Sequence, residues 1–189
     1  MDQEYYCEVE FEGLDRLEAD EFEACTFRNC NWSEQDLKRK KFIECEFIDC
    51  NLSNAKLLAS SIQDCHFKDC KMLGLRFDLC NTFSFGFHAS NCQLSNSNFY
   101  QLDLRNCRFE HCNLQEVDFS AANLEGVSLS GSNLSGVTFD ESNLKKANLR
   151  LCSNLQIDPN RNQMSQASLS ASALAGLVAK YKLQIHPNE

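Results

Sequence analysis

Every fifth residue of this chain is large and apolar. Steps of five from Phe22 give Phe22, Phe27, Trp32, Leu37, Phe42, Phe47, Leu52, Leu57, Ile62, Phe67, Met72 and Phe77, and from Leu94 the same step runs unbroken to Leu149. Neither ordinary element accommodates this. On a helix, steps of five land about 140° apart and scatter around the axis. On a flat strand, an odd step flips each successive side chain to the opposite face. A strict period of five requires a chain that turns once per repeat.

A second, smaller series sits two residues ahead of the first: Cys25, Cys30, Cys45, Cys50, Ala55, Ser60, Cys65 and Cys70, then Cys92, Ser97, Cys107 and Cys112. The other three residues of each five are mostly polar, so each unit points one large and one small side chain inward and three outward. The cysteines give the coil size. Cys25, Cys45 and Cys65 are twenty residues apart, as are Cys30, Cys50 and Cys70. Four units per turn make a four-sided coil whose turns stack at roughly 4.8 Å. The fold is therefore expected to be an all-β solenoid, with about six and a half turns over 22–152 and a rod roughly 30 Å long. These six cysteines and Phe27, Phe47 and Phe67 form its expected core ladders. The two halves differ in phase by two residues, so a slip is expected within "FGFHASN" (85–91), with "GFHAS" (86–90) projecting as a bulge that offers Phe85 or His88 to a partner. Asp20, Gln35 and Lys40 interrupt the small series, and the spacing alone gives no account of them.

Cysteine pairs such as "CEFIDC" (45–50) are thus read as core residues and not as zinc ligands, whose C-x₂₋₄-C spacing and matching histidines are missing. No metal, cofactor or catalytic residue is expected: the chain has no GxGxxG, P-loop, HExxH or GxSxG, and its four histidines are scattered. The opening "MDQEYYCEVEFEG" is no secretory signal and no apolar run suits a membrane span, so a soluble, cytoplasmic protein with reduced thiols is expected. Residues 1–24 hold ten acids against Arg16 alone, whereas 25–189 hold seventeen acids and seventeen bases. Direct nucleic-acid binding is disfavoured, because no segment has the basic excess that phosphates demand. "KRKK" (38–41) is the only basic cluster and reads as a solvated corner.

The ends need covering, because a solenoid leaves raw strand edges. Residues 1–21 supply a cap or irregular first coil, 22–152 the coil proper, and 153–189 a bridge, a capping helix and a tail. In "SASALAGLVAKY" (170–181), Leu174, Leu177, Val178 and Tyr181 fall at i, i+3, i+4 and i+7, predicting an amphipathic helix. With Leu183 and Ile185 this stripe is an expected homodimer interface.

"AANLE" (121–125), "GSNLS" (131–135), "ESNLK" (141–145) and "KANLR" (146–150) resemble the A-(D/N)-L-X-X consensus of the pentapeptide-repeat family. The resemblance implies a right-handed quadrilateral β-helix over roughly 22–152. A narrower resemblance lies in "FRNCNW", "FIECEFIDCNLS", "CKMLGL", the I-D-P bridge, the Leu-rich helix and the "LQI" tail. These look like the albicidin-resistance, microcin-immunity and quinolone-resistance (Qnr) group, whose members act on DNA gyrase as C-terminally joined dimers. Quinolone-resistance members carry long loops, whereas this chain has room only for a slip, which places it nearer the albicidin and microcin type. The function this implies is a DNA mimic that binds gyrase or a related type II topoisomerase and protects it from a drug or toxin. Glu44, Glu46, Asp49, Asp64 and Asp69 are the candidate mimicking acids. The alternative is a non-catalytic interaction scaffold with another partner, and placement of acids on one face of the rod discriminates between the two.

Overall fold

The computed structural model describes residues 5–184. The chain winds into a parallel β-solenoid of about eight turns. On the first face, β1 (Tyr5–Cys7), β3 (Glu21–Glu23), β5 (Lys41–Ile43) and β7 (Ser61–Gln63) pair side by side. On the second, β2 (Glu10–Glu12), β4 (Thr26–Arg28), β6 (Glu46–Ile48), β8 (Cys65–Lys68), β9 (Phe87–Ser90) and β10 (Arg108–Glu110) do the same. The third and fourth faces, centred on Trp32/Leu52/Met72 and Leu37/Leu57/Phe77, are joined by single parallel bridges such as Asn31↔Asn51 and Asp36↔Lys56. All twenty-four large residues of the two five-step runs are buried.

The corner chemistry explains the period. The residue two places after a large one has positive φ at twenty-two of the twenty-four positions, as in Asp49 (53°), Asn54 (57°) and Asp64 (48°), the exceptions being Leu79 and Asn106. Asp, Asn and Gly tolerate this conformation best. Turns close with bonds such as Ala55 N–H to the Leu52 carbonyl at 3.0 Å. The residue before each large one is often Asn because its amide works twice. Asn143 Nδ2 donates to Asn123 Oδ1 one turn below (2.9 Å), while its own Oδ1 accepts from the Lys145 N–H (3.2 Å).

The small column carries hydrogen-bond donors as well as small volumes. Cys50 and Cys70 Sγ donate to the carbonyls of Phe27 and Phe47 in the turn below, both at 3.3 Å. Where a serine or asparagine replaces the cysteine the bond persists, from Ser132 Oγ to Phe109 O (3.1 Å) and from Asn162 Nδ2 to Phe139 O (2.9 Å). Beside them the rings stack, Phe27 on Phe47 at 5.1 Å and Phe47 on Phe67 at 4.4 Å. Such pairs add about 0.5–1.5 kcal/mol each beyond burial. Every cysteine is a free thiol, and only Cys7 is exposed.

The irregular turns are informative. The first coil is sixteen residues long, aligning Tyr6 with Phe22 and Phe11 with Phe27. It covers the end of the core with Leu17 and Ala19. Lys40 enters the small column because its Nζ leaves it, donating to Ala19 O (2.6 Å) and to Asp20 Oδ1 (3.0 Å). Asp20 and Gln35 stay exposed.

The slip lies earlier than 86–90. Ser61 and Asn81 keep the twenty-residue register, Asn81 N–H bonding Ser60 O, whereas Cys65 pairs with Phe87 at twenty-two. The two extra residues fall in 82–85, and Phe87–Ser90 is not a bulge but the strand β9. This turn also exchanges sizes: Phe87 occupies the cysteine column between Cys65 and Cys107, and Ala89 the phenylalanine column between Phe67 and Phe109. The Phe87 ring stands edge-on to both Phe67 (5.4 Å) and Phe109 (5.5 Å), filling the space Ala89 leaves.

The coil also runs past Cys152. Asn143 bridges Gln163, and β11 (Asn148–Leu149) pairs with β12 (Ser168–Leu169). Beyond it the expected continuous helix is broken into two 3₁₀ turns (Ala171–Ala173 and Ala179–Tyr181) flanking α1 (Leu174–Leu177). The backbone of Gly176 is pressed against Leu155, where an added Cβ would run into the Leu155 carbonyl. Gly176 O in turn accepts from the Ile157 N–H (3.3 Å), so docking on the coil and not helical propensity shapes this segment.

Candidate interaction surface

Because each turn repeats in register, outward residues line up in columns. Glu44 and Asp64 stack at the corner between the first and second faces, and Asp49 and Asp69 at the corner between the second and third. Glu46 stands in an outward column of the second face that runs in register Glu10, Thr26, Glu46, His66, His88 and Arg108. All five acids are exposed. The fold thus gathers them into two acidic edges flanking one face.

Charge is sorted across the first four turns. Over residues 5–79 the first and second faces with their corners carry ten carboxylates and three bases, while the third and fourth carry six carboxylates and seven bases. Four turns at about 4.8 Å span roughly 19 Å, so the acidic side presents about one carboxylate per 2 Å of axis and, with its three bases subtracted, about one net negative charge per 2.7 Å. B-DNA carries one charge per ~1.7 Å.

His88 is exposed and its ring stacks on His66, with centroids 5.0 Å apart. Burial, then His66 and Arg108, push its pKa below the usual histidine value. The two imidazoles line a shallow groove of about 250 Å³ with Glu46, Ile48, Lys68 and Ser90. Phe85 is a different matter. It is buried against Phe77 (6.2 Å) and Phe87 (5.9 Å), because the insertion turns it into the core, and it offers nothing to a partner. The exposed ring of the insertion is Phe83.

Sequence reading passed over Leu58, Leu79, Phe83 and Tyr100, all exposed. The signal was available: each is a large apolar residue at an outward position of its repeat. At the C-terminal end Leu174, Tyr181 and Leu183 are exposed and Leu177 and Val178 half-buried, while Ile185 lies outside the described residues. Lys180 Nζ clamps Asp158 (2.7 Å), holding that carboxyl below the usual range and raising the lysine. Among the described residues there is no cluster of three His, Cys, Asp or Glu placed to hold a metal, and no helix long and apolar enough to cross a membrane.

The family model for the pentapeptide repeat region matches residues 20–91, 40–110, 86–158 and 102–177. The chain belongs to the pentapeptide-repeat family. A search of curated proteins returned no match. Among solved structures, a trypsin-treated variant of QnrB1, a plasmid-mediated fluoroquinolone resistance protein, is 23% identical, with 96% of this chain and 97% of that one covered at a TM-score of 0.48. HetL from the cyanobacterium Nostoc, involved in heterocyst differentiation regulation, is 15% identical, with 88% and 85% covered at a TM-score of 0.24. Rfr23 from the cyanobacterium Cyanothece is 20% identical, with 56% and 88% covered at 0.19.

Proposed function

We propose that this pentapeptide-repeat protein is a DNA mimic that binds DNA gyrase or a related type II topoisomerase and protects it from a drug or toxin. The sorting of ten carboxylates onto one side of the rod carries the reading. A net negative charge density of roughly 0.6 that of DNA, concentrated on one side of the rod, suits a basic DNA-binding saddle. Attraction between the two speeds encounter and weakens with salt. The columns Glu44/Asp64 and Asp49/Asp69 with Glu46 are the residues the saddle would meet. The exposed Leu174, Tyr181 and Leu183 would join two rods end to end as a homodimer, placing an acidic end at each tip.

The test is a gyrase supercoiling assay with and without the pure protein, in the presence and absence of a gyrase-trapping drug. The protein is expected to change supercoiling or drug sensitivity in a salt-dependent way. Replacing Glu44, Glu46, Asp49, Asp64 and Asp69 by their amides is expected to remove most of the effect. A gyrase indifferent to the protein at low salt would leave only the scaffold reading, in which the rod serves another partner.

A further inference from the structure

On the side of the rod away from the acidic edges, three outward residues form an apolar ridge. Arg39 N–H bonds Leu58 O and Ala59 N–H bonds Leu79 O, so Leu58 and Leu79 occupy successive steps of one column, and Tyr100 takes the outward place in the next turn. The 3₁₀ turn Phe77–Leu79 brings Leu79 into this column where the repeat alone would have placed Asp78. Leu58 is 49% exposed, Leu79 41% and Tyr100 46%. Around the adjoining corner the two-residue insertion lifts Phe83 to 73% exposure. It is held there by Gln63 Nε2 on its carbonyl (3.3 Å) and by the Asn81 side chain on its N–H (3.0 Å). Scattered apolar residues on a surface need no explanation, but a contiguous group rimmed by polar residues marks a contact site.

The rim around Leu58 is basic, on a chain of net charge −9. Asp36 and Asp78 are bound by Lys38 (3.4 Å) and Arg76 (2.6 Å), Asp118 accepts from Asn98 Nδ2 (3.3 Å) at the Tyr100 end, and Arg39 and Lys56 add two more cations beside Leu58, where the positive excess lies. Spacing narrows the occupant further. Leu58 to Tyr100 is two turns, about 10 Å. That is close to the ~10.5 Å between residues i and i+7 of a helix, whose i, i+4 and i+7 side chains would fall along the ridge. We infer that the Leu58–Leu79–Tyr100 ridge with Phe83 is a docking site for an acidic amphipathic helix of a partner protein, laid along the rod axis. The site uses none of the acids assigned to topoisomerase binding. It therefore stands or falls separately from that reading.

Two fluorescein-labelled synthetic helices of about eighteen residues test it, both with leucines at i, i+4, i+7 and i+11. One carries glutamates on its flanks, the other lysines. Anisotropy titration should show the acidic helix binding at least tenfold more tightly than the basic one. The double variant Leu79→Ser/Phe83→Ser should lose at least tenfold in affinity and Lys56→Glu about fivefold, with the circular dichroism of each unchanged. Equal binding of the two helices, binding that survives the double variant, or no binding of the acidic helix below millimolar concentration would overturn the inference. So would concentration-dependent self-association that the double variant abolishes, which would assign the ridge to a second copy of this chain.

Discussion

Phe87 and Ala89 have exchanged the sizes their columns require, and this makes a sharp test of how the core is held. Phe87 is fully buried, and its ring contacts Phe67, Phe77 and Phe109 from the thiol column. Truncating it alone, as Phe87→Cys, empties most of a ring volume and should cost about 3 kcal/mol. Ala89→Phe alone adds a ring where that of Phe87 already reaches, which overpacks the turn by about 1–3 kcal/mol. Made together, the two changes recreate the Cys65/Cys107 and Phe67/Phe109 columns without interruption. The double variant should then lie within about 1 kcal/mol of the parent, a favourable coupling of at least ~3 kcal/mol. Urea denaturation followed by far-ultraviolet circular dichroism and by Trp32 fluorescence supplies the free energies, provided that the two transitions coincide. A double variant as unstable as the sum of its parts would refute column filling as the organising rule of this core.

Other expectations follow from the same geometry. One thiol, Cys7, should react quickly with an Ellman-type reagent in the native protein and all twelve after denaturation, because burial pushes thiols such as Cys80 and Cys107 up to about 12. Several fast native thiols would contradict the ladders. Gly176→Ala should detach the C-terminal segment from Leu155, seen as lost amide protection over 174–181 with the coil intact, and sedimentation equilibrium should then show only monomer. A parent protein that is itself monomeric at micromolar concentration would remove the proposed dimer. Asp158 is depressed by Lys180 in the folded state, so its contribution is complete above the unfolded value of about 3.9 and is lost as pH falls through the folded one. Hydrogen exchange over 174–181, corrected for intrinsic rate, should be flat from neutrality to about pH 5 and rise below about 4. Asp158→Asn should abolish that pH dependence.

The core was legible because each turn makes the same demand of the same position, and twenty-four large residues in two runs state that demand repeatedly. Legibility failed where a local arrangement satisfied the demand by other means. The exchange at Phe87 and Ala89 hides the register of that turn, so the spacing puts the slip within 85–91 with a bulge at 86–90, whereas the extra residues lie at 82–85. Asn154 stands where a large residue should, and Asn162 where a small one should, so the last turn looked like a bridge although Met164 and Leu169 pack against the core. The α-period of 170–181 was genuine as a pattern, but the contact of Gly176 with Leu155 overrides it. Lys40 defied the small series because its ammonium reaches Ala19 and Asp20 in the shortened first coil, whose length the repeat does not encode. At the candidate surface the acids could be named, but their sorting into two edges depends on which corner each repeat occupies.

The twenty-residue register makes the rod a graduated ruler. Removing residues 113–132 would place Asn133 directly after Cys112, in the position Asn113 now fills, and every remaining column would still meet its partner. Reach would shorten by one graduation, about 4.8 Å, with the acidic tip and the C-terminal cap both untouched. The distance between the two ends can therefore change in fixed steps by duplication or loss of a turn, independently of the residues at either end. The sixteen-residue first coil and the twenty-two-residue turn that carries Phe83 are graduations of another length, and neither can be exchanged for a regular turn.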